Sequence, residues 1–97
     1  MIGSFGNQLA EDLYDDKRTR ATRQFPPLLL RAARRKLLYL HDAGQLADLK
    51  VPPGNRLEAL KGDLIGYHSI RINDQWRIIF QWKDGNAFLV QILDYHK

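Results

Sequence analysis

Asp94, Tyr95 and His96 follow one another, so an acid, a phenol and an imidazole occupy three consecutive positions. That supply suits cleavage of RNA through its own 2′-hydroxyl. The reaction needs a base to take the hydroxyl proton and cations to hold the charge that develops on the phosphoryl oxygens. It also needs an acid to protonate the departing 5′-oxygen. His96 titrates nearest neutrality and is the first candidate for acid or base. Glu58, Asp94 and His68 are the other candidate proton carriers. Arg77, Arg71, Arg56 and Lys61 could hold a phosphate, and Tyr95 could stack on a base or donate its hydroxyl.

Plainer readings stand beside these. A histidine at such a position is more often solvated than catalytic, and Asp94 can serve only to keep a strand end soluble. His68 alternates with Ile70 and Ile72 and reads as packed, and Trp76 and Trp82 read as core. Arg56 and Glu58 could form an exposed ion pair worth little. Other chemistries are poorly supplied. The chain has no cysteine, which excludes disulfides and thiolate metal sites. It has no G-x-S-x-G, no glycine-rich phosphate loop and no histidine pair at metal spacing, so neither a metal nor a cofactor is expected.

The elements that must position these residues are legible from periodicity. Ile2 to Phe5 reads as a short first strand. Asn7 is an N-cap candidate for a helix from Gln8 to Arg18, with Leu9, Ala10, Leu13 and Tyr14 at helical spacing. Arg20 to Gln24 reads as a polar connection. Pro26 and Pro27 suit the first turn of a second helix, from about Pro27 to Ala43. Leu29, Ala32, Ala33, Lys36, Leu37 and Leu40 form its inner stripe, Arg31, Arg34 and Arg35 lie mostly on the other side, and Gly44 is its stop signal. After a connector holding Pro52, Pro53 and Gly54, the period changes to two. Strands are expected at Asn55 to Leu60, Tyr67 to Ile72, Trp76 to Trp82 and Ala87 to Tyr95. Asp84-Gly85 is a two-residue hairpin signal. It sets Phe80 against Leu89, Ile78 against Gln91 and Trp76 against Leu93. In that register Arg77 opposes Ile92 and shares a face with Asp94 and His96. Strand, helix, helix and then a meander of strands make an α+β fold, with helices on one face of an antiparallel sheet.

Ninety-seven residues, 44% of them apolar, make a single domain spanning residues 1–97, and such a chain can bury one modest core. The net charge of +4 is a mild pull toward polyanions. Eight of the fifteen basic residues lie between Lys17 and Lys36, and among them Arg31, Arg34 and Arg35 read as a solvated helix face. The absence of cysteine, of a signal peptide and of a long apolar run leads us to expect an intracellular, cytoplasmic protein with no membrane partner.

Several stretches carry a resemblance to a known family. Residues 52–63 read P-P-G-N-R-L-E-A-L-K-G-D, residues 69–77 read S-I-R-I-N-D-Q-W-R, and residues 94–96 read D-Y-H. Together with M-I-G-S-F at the start, they make the chain resemble HigB-type toxins of bacterial toxin–antitoxin systems, within the RelE/ParE-like superfamily. The resemblance covers nearly the whole chain. It implies a RelE-like fold, with two N-terminal helices packed on a small, curved, mostly antiparallel sheet. It implies a type II toxin that cuts mRNA in the ribosomal A site without metal, its growth inhibition relieved by a cognate antitoxin. The implied partners are a helix-turn-helix, HigA-like antitoxin, the ribosome with its mRNA, and operator DNA only through the toxin–antitoxin complex. By matching motifs, Asp94, Tyr95 and His96 correspond to residues implicated in cleavage and Arg77 to a phosphate-contacting arginine. Lys61, in the L-K-G-D loop, is implied to touch RNA. Glu58 stands where some members carry a histidine. The alternative is a non-enzymatic inhibitor that binds the ribosome, another RNA or gyrase. A DNA-binding module acting alone is the weakest reading, because the basic second helix lacks a helix-turn-helix partner at normal spacing.

Overall fold

Asn7 starts the first helix and also ties it to the sheet. Its side-chain oxygen accepts from the Ala10 backbone N–H at 3.1 Å, capping α1 (Gln8–Tyr14), as its place before the periodic leucines predicts. The same side chain bonds both the N–H and the carbonyl of Ile92, so it pairs with the sheet as a strand backbone would. In the computed structural model, which describes residues 1–95, α1 ends at Tyr14 rather than continuing to Arg18. Asp16 adopts a left-handed conformation, φ 57°, which breaks the helix.

A short helix, α2 (Arg20–Arg23), follows where a plain connection was expected. Thr19 and Thr22 form a reciprocal capping box, which supplies the orphan backbone groups of a helix too short to persist unaided. Asp12, buried on the last turn of α1, locks the two together. It accepts from Thr19 Oγ1 at 2.7 Å and from Gln8 Nε2 at 2.8 Å. The bond from Thr19, and then that from Gln8, hold the Asp12 carboxyl below the usual carboxylate range against the opposing effect of burial. A carboxylate whose folded value is depressed stabilises the fold above its unfolded value of about 3.8, and that contribution fades as the pH falls through the folded value. Asp12→Asn is therefore expected to lower the melting temperature at pH 7, and the gap to wild type should narrow by about pH 3. Thermal melts of both proteins at the two pH values check this. A gap that stays constant would show that the charge contributes nothing.

The second long helix begins as a 3₁₀ turn at Pro27–Leu29 and becomes α3 (Leu30–Asp42). Its buried residues are Ala33, Lys36, Leu37 and Leu40, the expected inner stripe with its lysine included. Arg34 turns inward at its tip, donating to the Leu13 carbonyl at 3.0 Å. Beyond α3, two further 3₁₀ turns, Leu46–Lys50 and Pro53–Asn55, carry the chain to the sheet.

The sheet has four antiparallel strands in the order β1 (Glu58–Ala59), β2 (Tyr67–Arg71), β3 (Trp76–Lys83) and β4 (Asn86–Asp94). The first is shorter than the expected strand from Asn55 to Leu60, because Asn55 closes a turn and Arg56 is left-handed at φ 48°. Ile2 to Phe5 is not a continuous strand. It makes two isolated parallel bridges to the outer side of β4, Ile2 with Ala87 and Phe5 with Val90. There it covers an edge that would otherwise present unpaired backbone groups. The core lies between this sheet and the helices. Ile70, Ile78, Phe80, Val90 and Ile92 meet Leu13, Phe25, Leu37 and Leu40. Each large side chain buried there contributes about 1.5–3 kcal/mol of transfer free energy.

The hairpin register departs from the expectation. Asp84 (φ 52°) and Gly85 (φ 79°) do form the two-residue turn, and Lys83 pairs with Asn86 and Trp82 with Ala87. A bulge then intervenes. Leu89 is left-handed at φ 54°, and beyond it Ile79 pairs with Gln91, Ile78 with Ile92, Arg77 with Leu93 and Trp76 with Asp94. One extra residue in β4 shifts every later pair and exchanges the faces of the strand's last residues. The Leu89 N–H donates to Ser4 Oγ at 2.9 Å, so the N-terminal segment supports the irregularity.

Candidate active site

On the face of the sheet away from the helices, the register lays side chains out in rows. Arg71, Arg77 and Leu93 form one, and Glu58, Ser69, Ile79 and Gln91 the next. The row of arginines lies toward the strand end that leads to Tyr95. The Tyr95 N–H donates to the Gln75 carbonyl at 2.6 Å, which carries the pairing one step past β4. Its ring lies under the Arg77 guanidinium, 5.3 Å from centroid to Cζ, a cation–π distance. The same ring lines a cleft of about 280 Å³ with Glu58, Ala59, Leu60 and Lys61. The bulge therefore corrects the expected pairing of functional groups. Arg77 shares its face with Tyr95, not with Asp94, which alternates to the side of Trp76 and accepts from Gln75 Nε2 at 3.0 Å. The expected placement of His96 beside Arg77 lies outside the described residues.

The turn between β2 and β3 orients the cations. Asn73 Oδ1 accepts from the backbone N–H groups of Gln75 (3.0 Å) and Trp76 (2.8 Å), an Asx-type turn. The Asn73 carbonyl then accepts from Arg77 Nη1, and the Trp76 carbonyl lies 3.4 Å from the same nitrogen. Among the described residues, both side-chain hydrogen bonds that Arg77 donates leave from Nη1, so the turn holds one corner of the fork. Arg71 is paired with Asp74 in the same turn. The hydrogen bond and charge of Arg71 hold the Asp74 carboxyl below its ordinary value, and Arg56 and Arg77 pull in the same direction. Arg71 is thus ion-paired with this carboxylate, and Arg56 and Arg77 are near enough to act on it through their charge. An exposed pair of this kind adds little to stability, but a carboxylate held among arginines marks where an anion is favoured.

Of the residues singled out by sequence, the structure brings Glu58, Lys61, Tyr95 and Arg77 together and sets Arg71 and Arg56 beside them. Arg56 and Glu58 form no ion pair among the described residues. His68 stacks on Phe80 at 6.0 Å, as a packed histidine should. Trp76 meets Phe25 edge-on at 4.8 Å. Asp74 was missed as part of the arginine cluster. The signal was its place three residues after Arg71, where a turn returns the chain to the same sheet end.

A family model for the RelE-like toxin of the type II toxin–antitoxin system HigB matches residues 3–96. The chain belongs to the HigB-like toxin family. It is 48% identical over 98 residues to Toxin HigB-1 of Vibrio cholerae serotype O1, an alignment covering 100% of this chain and 99% of that protein. It is 46% identical over 41 residues to Endoribonuclease HigB of Proteus vulgaris, across 42% of this chain and 45% of that one. Solved structures share the fold at low identity. The YoeB–YefM complex from Staphylococcus aureus matches with a TM-score of 0.61 at 18% identity, covering 100% of this chain and 99% of that one. YafQ from E. coli strain BL21(DE3) matches at 0.58 and 14%, covering 98% and 94%. This HigB-like toxin is thus a RelE-like α+β protein, two principal helices and one short one on a mostly antiparallel sheet. Among its described residues no helix is long and apolar enough to cross a membrane.

Proposed function

We propose that this type II toxin is a ribosome-dependent mRNA endonuclease that cuts in the A site without metal. The observation that carries the reading is Tyr95, whose ring lies under Arg77 on one side and lines the Glu58–Lys61 cleft on the other. A nucleotide in that cleft would have a ring to stack on, a carboxylate and a lysine at hand, and a guanidinium for its phosphate. The endonuclease named for the Proteus relative supports the same chemistry.

The residues divide the work as follows. Glu58 or His96 takes the proton of the 2′-hydroxyl, which attacks the adjacent phosphorus. Arg77, with Arg71 and Arg56 beside it, holds the non-bridging oxygens as their charge grows. The bond to the 5′-oxygen breaks, and His96 protonates that leaving group. Lys61 contacts the RNA backbone and Tyr95 orients a base. Asp94, bonded to Gln75, acts by holding the strand end that carries Tyr95 and His96. We place the toxin in the cytoplasm with a helix-turn-helix, HigA-like antitoxin that relieves growth inhibition. Operator DNA is bound only by the complex of the two.

Incubating the purified toxin with ribosomes translating a defined mRNA tests this reading. The expected result is cleavage inside the A-site codon that leaves a 2′,3′-cyclic phosphate and a 5′-hydroxyl, the ends produced by attack of the 2′-hydroxyl. Message that stays intact would overturn it, and growth arrest without cleavage would point to an inhibitor that only binds.

A further inference from the structure

Lys36 projects from the inner side of α3 and is only 8% exposed. The cleavage proposed above makes no use of it. Its ammonium donates to Oδ1 of Asn55, a side chain buried completely. Asn55 in turn donates through Nδ2 to the carbonyls of Leu49 (3.1 Å) and Val51 (3.3 Å), and its backbone N–H bonds to the Pro52 carbonyl at 2.9 Å. The pair therefore pins the whole connector from Leu49 to Asn55 onto α3.

No carboxylate pairs with Lys36 among the described residues. Burial, with Arg35 and Arg71 adding to it, lowers its proton affinity below that of an ordinary lysine. A buried ammonium without an anion is costly, and an apolar side chain of the same length would fill the space more cheaply. Packing alone does not account for a lysine there.

The geometry of the next residue does. Arg56 follows Asn55 directly and is held left-handed at φ 48°. A non-glycine residue persists there only where its surroundings fix it. Glu58 pairs with Ser69 in antiparallel register, so the chain just before it, with Arg56, lies toward the Arg71 end of β2, where Arg71 pairs with Asp74. We propose that Lys36 and Asn55 are positioning residues, a buried strut that fixes Arg56 beside Arg71 and Arg77 so that three guanidiniums converge on one RNA phosphate. The proposal rests on the RNA-cleaving reading above and adds to it how the phosphate site is held.

A double-mutant cycle between Lys36→Met and Arg56→Ala tests it, read by binding of a fluorescein-labelled single-stranded RNA oligonucleotide across a salt series. Lys36→Met is expected to weaken binding about tenfold, the equivalent of one charge-assisted contact. It should also lower the salt slope by about 0.7, one phosphate's share on a single strand. In the Arg56→Ala background the same substitution should change affinity less than about twofold, because the residue it acts through is gone. Two results would overturn the proposal: a folded Lys36→Met protein that binds as wild type does, or a Lys36 effect that persists in full without Arg56. Lys36→Leu, a second apolar side chain that removes the donor, runs through the same cycle if the methionine variant does not fold. Wild-type toxin that binds no RNA oligonucleotide defeats this proposal, whereas the RNA-cleaving reading is decided separately by cleavage on ribosomes. Wild-type binding with an indifferent Lys36 variant defeats the proposal alone.

Discussion

Replacing Arg77 with alanine is expected to slow mRNA cleavage on translating ribosomes by about 10²–10³-fold, the usual effect of removing one preorganised donor from developing negative charge. The expectation comes from where the bulge at Leu89 puts this side chain. Arg77 opposes Leu93 and covers the Tyr95 ring, with Nη1 committed to the Asn73 carbonyl. A lysine at this position supplies a point charge but no planar fork. It cannot bond the turn and also grip a phosphate in the same plane, so Arg77→Lys should recover little of the loss. Arg77 lies on the face away from the core, so the melting temperature should stay near that of wild type. Single-turnover cleavage of a ribosome-bound message, with melts alongside, checks both parts. Wild-type rates in the alanine variant would remove Arg77 from the site.

The larger loss, about 10²–10⁴-fold, is expected for His96→Ala, the range for removing a general acid or base. Glu58→Ala is the necessary companion. If Glu58 is the base, both variants lose most of the rate and wild type should show a histidine-like ionisation between about pH 5 and 8. If His96 serves both steps, Glu58→Ala costs much less. The exposed Glu58 carboxylate faces the same cleft as Tyr95, so it is placed to take part. A His96→Ala protein that still cuts at the wild-type rate would end this assignment. One that stops cutting yet still arrests growth would turn the toxin into a binding inhibitor.

The parts of the fold that rest on local chemistry could be read from the chain. Asn7 as a cap, the inner stripe of α3 and the Asp84-Gly85 turn all appear where spacing put them. The parts that depend on distant support could not. Nothing in the run N-A-F-L-V-Q-I-L-D marks Leu89 as left-handed, since leucine rarely adopts that conformation. Ser4 and the N-terminal segment hold it there. That single residue decided the candidate site, because the face carrying Tyr95 depends on it. The stub of a first strand has a similar origin. Period-two reading extended it back to Asn55, but Asn55 is consumed by Lys36 and the connector carbonyls. The candidate cations and the candidate tyrosine could therefore be singled out by type, while their arrangement needed three dimensions.

The bridges between the first residues and β4 bear on how the toxin is made. Ser4 and Leu89 are bonded across 85 positions of sequence, so synthesis delivers one partner early and the other late. Until β4 leaves the exit tunnel, Ile2 and Phe5 have no sheet to join. Arg77 and Tyr95 also have no ladder to hold them together. Closing so long a loop costs little extra free energy, but it cannot begin before both ends exist. A nascent chain can form its helices and still lack the cleft. On the proposed reading, a chain still missing β4 could not cut message, because it lacks the cleft.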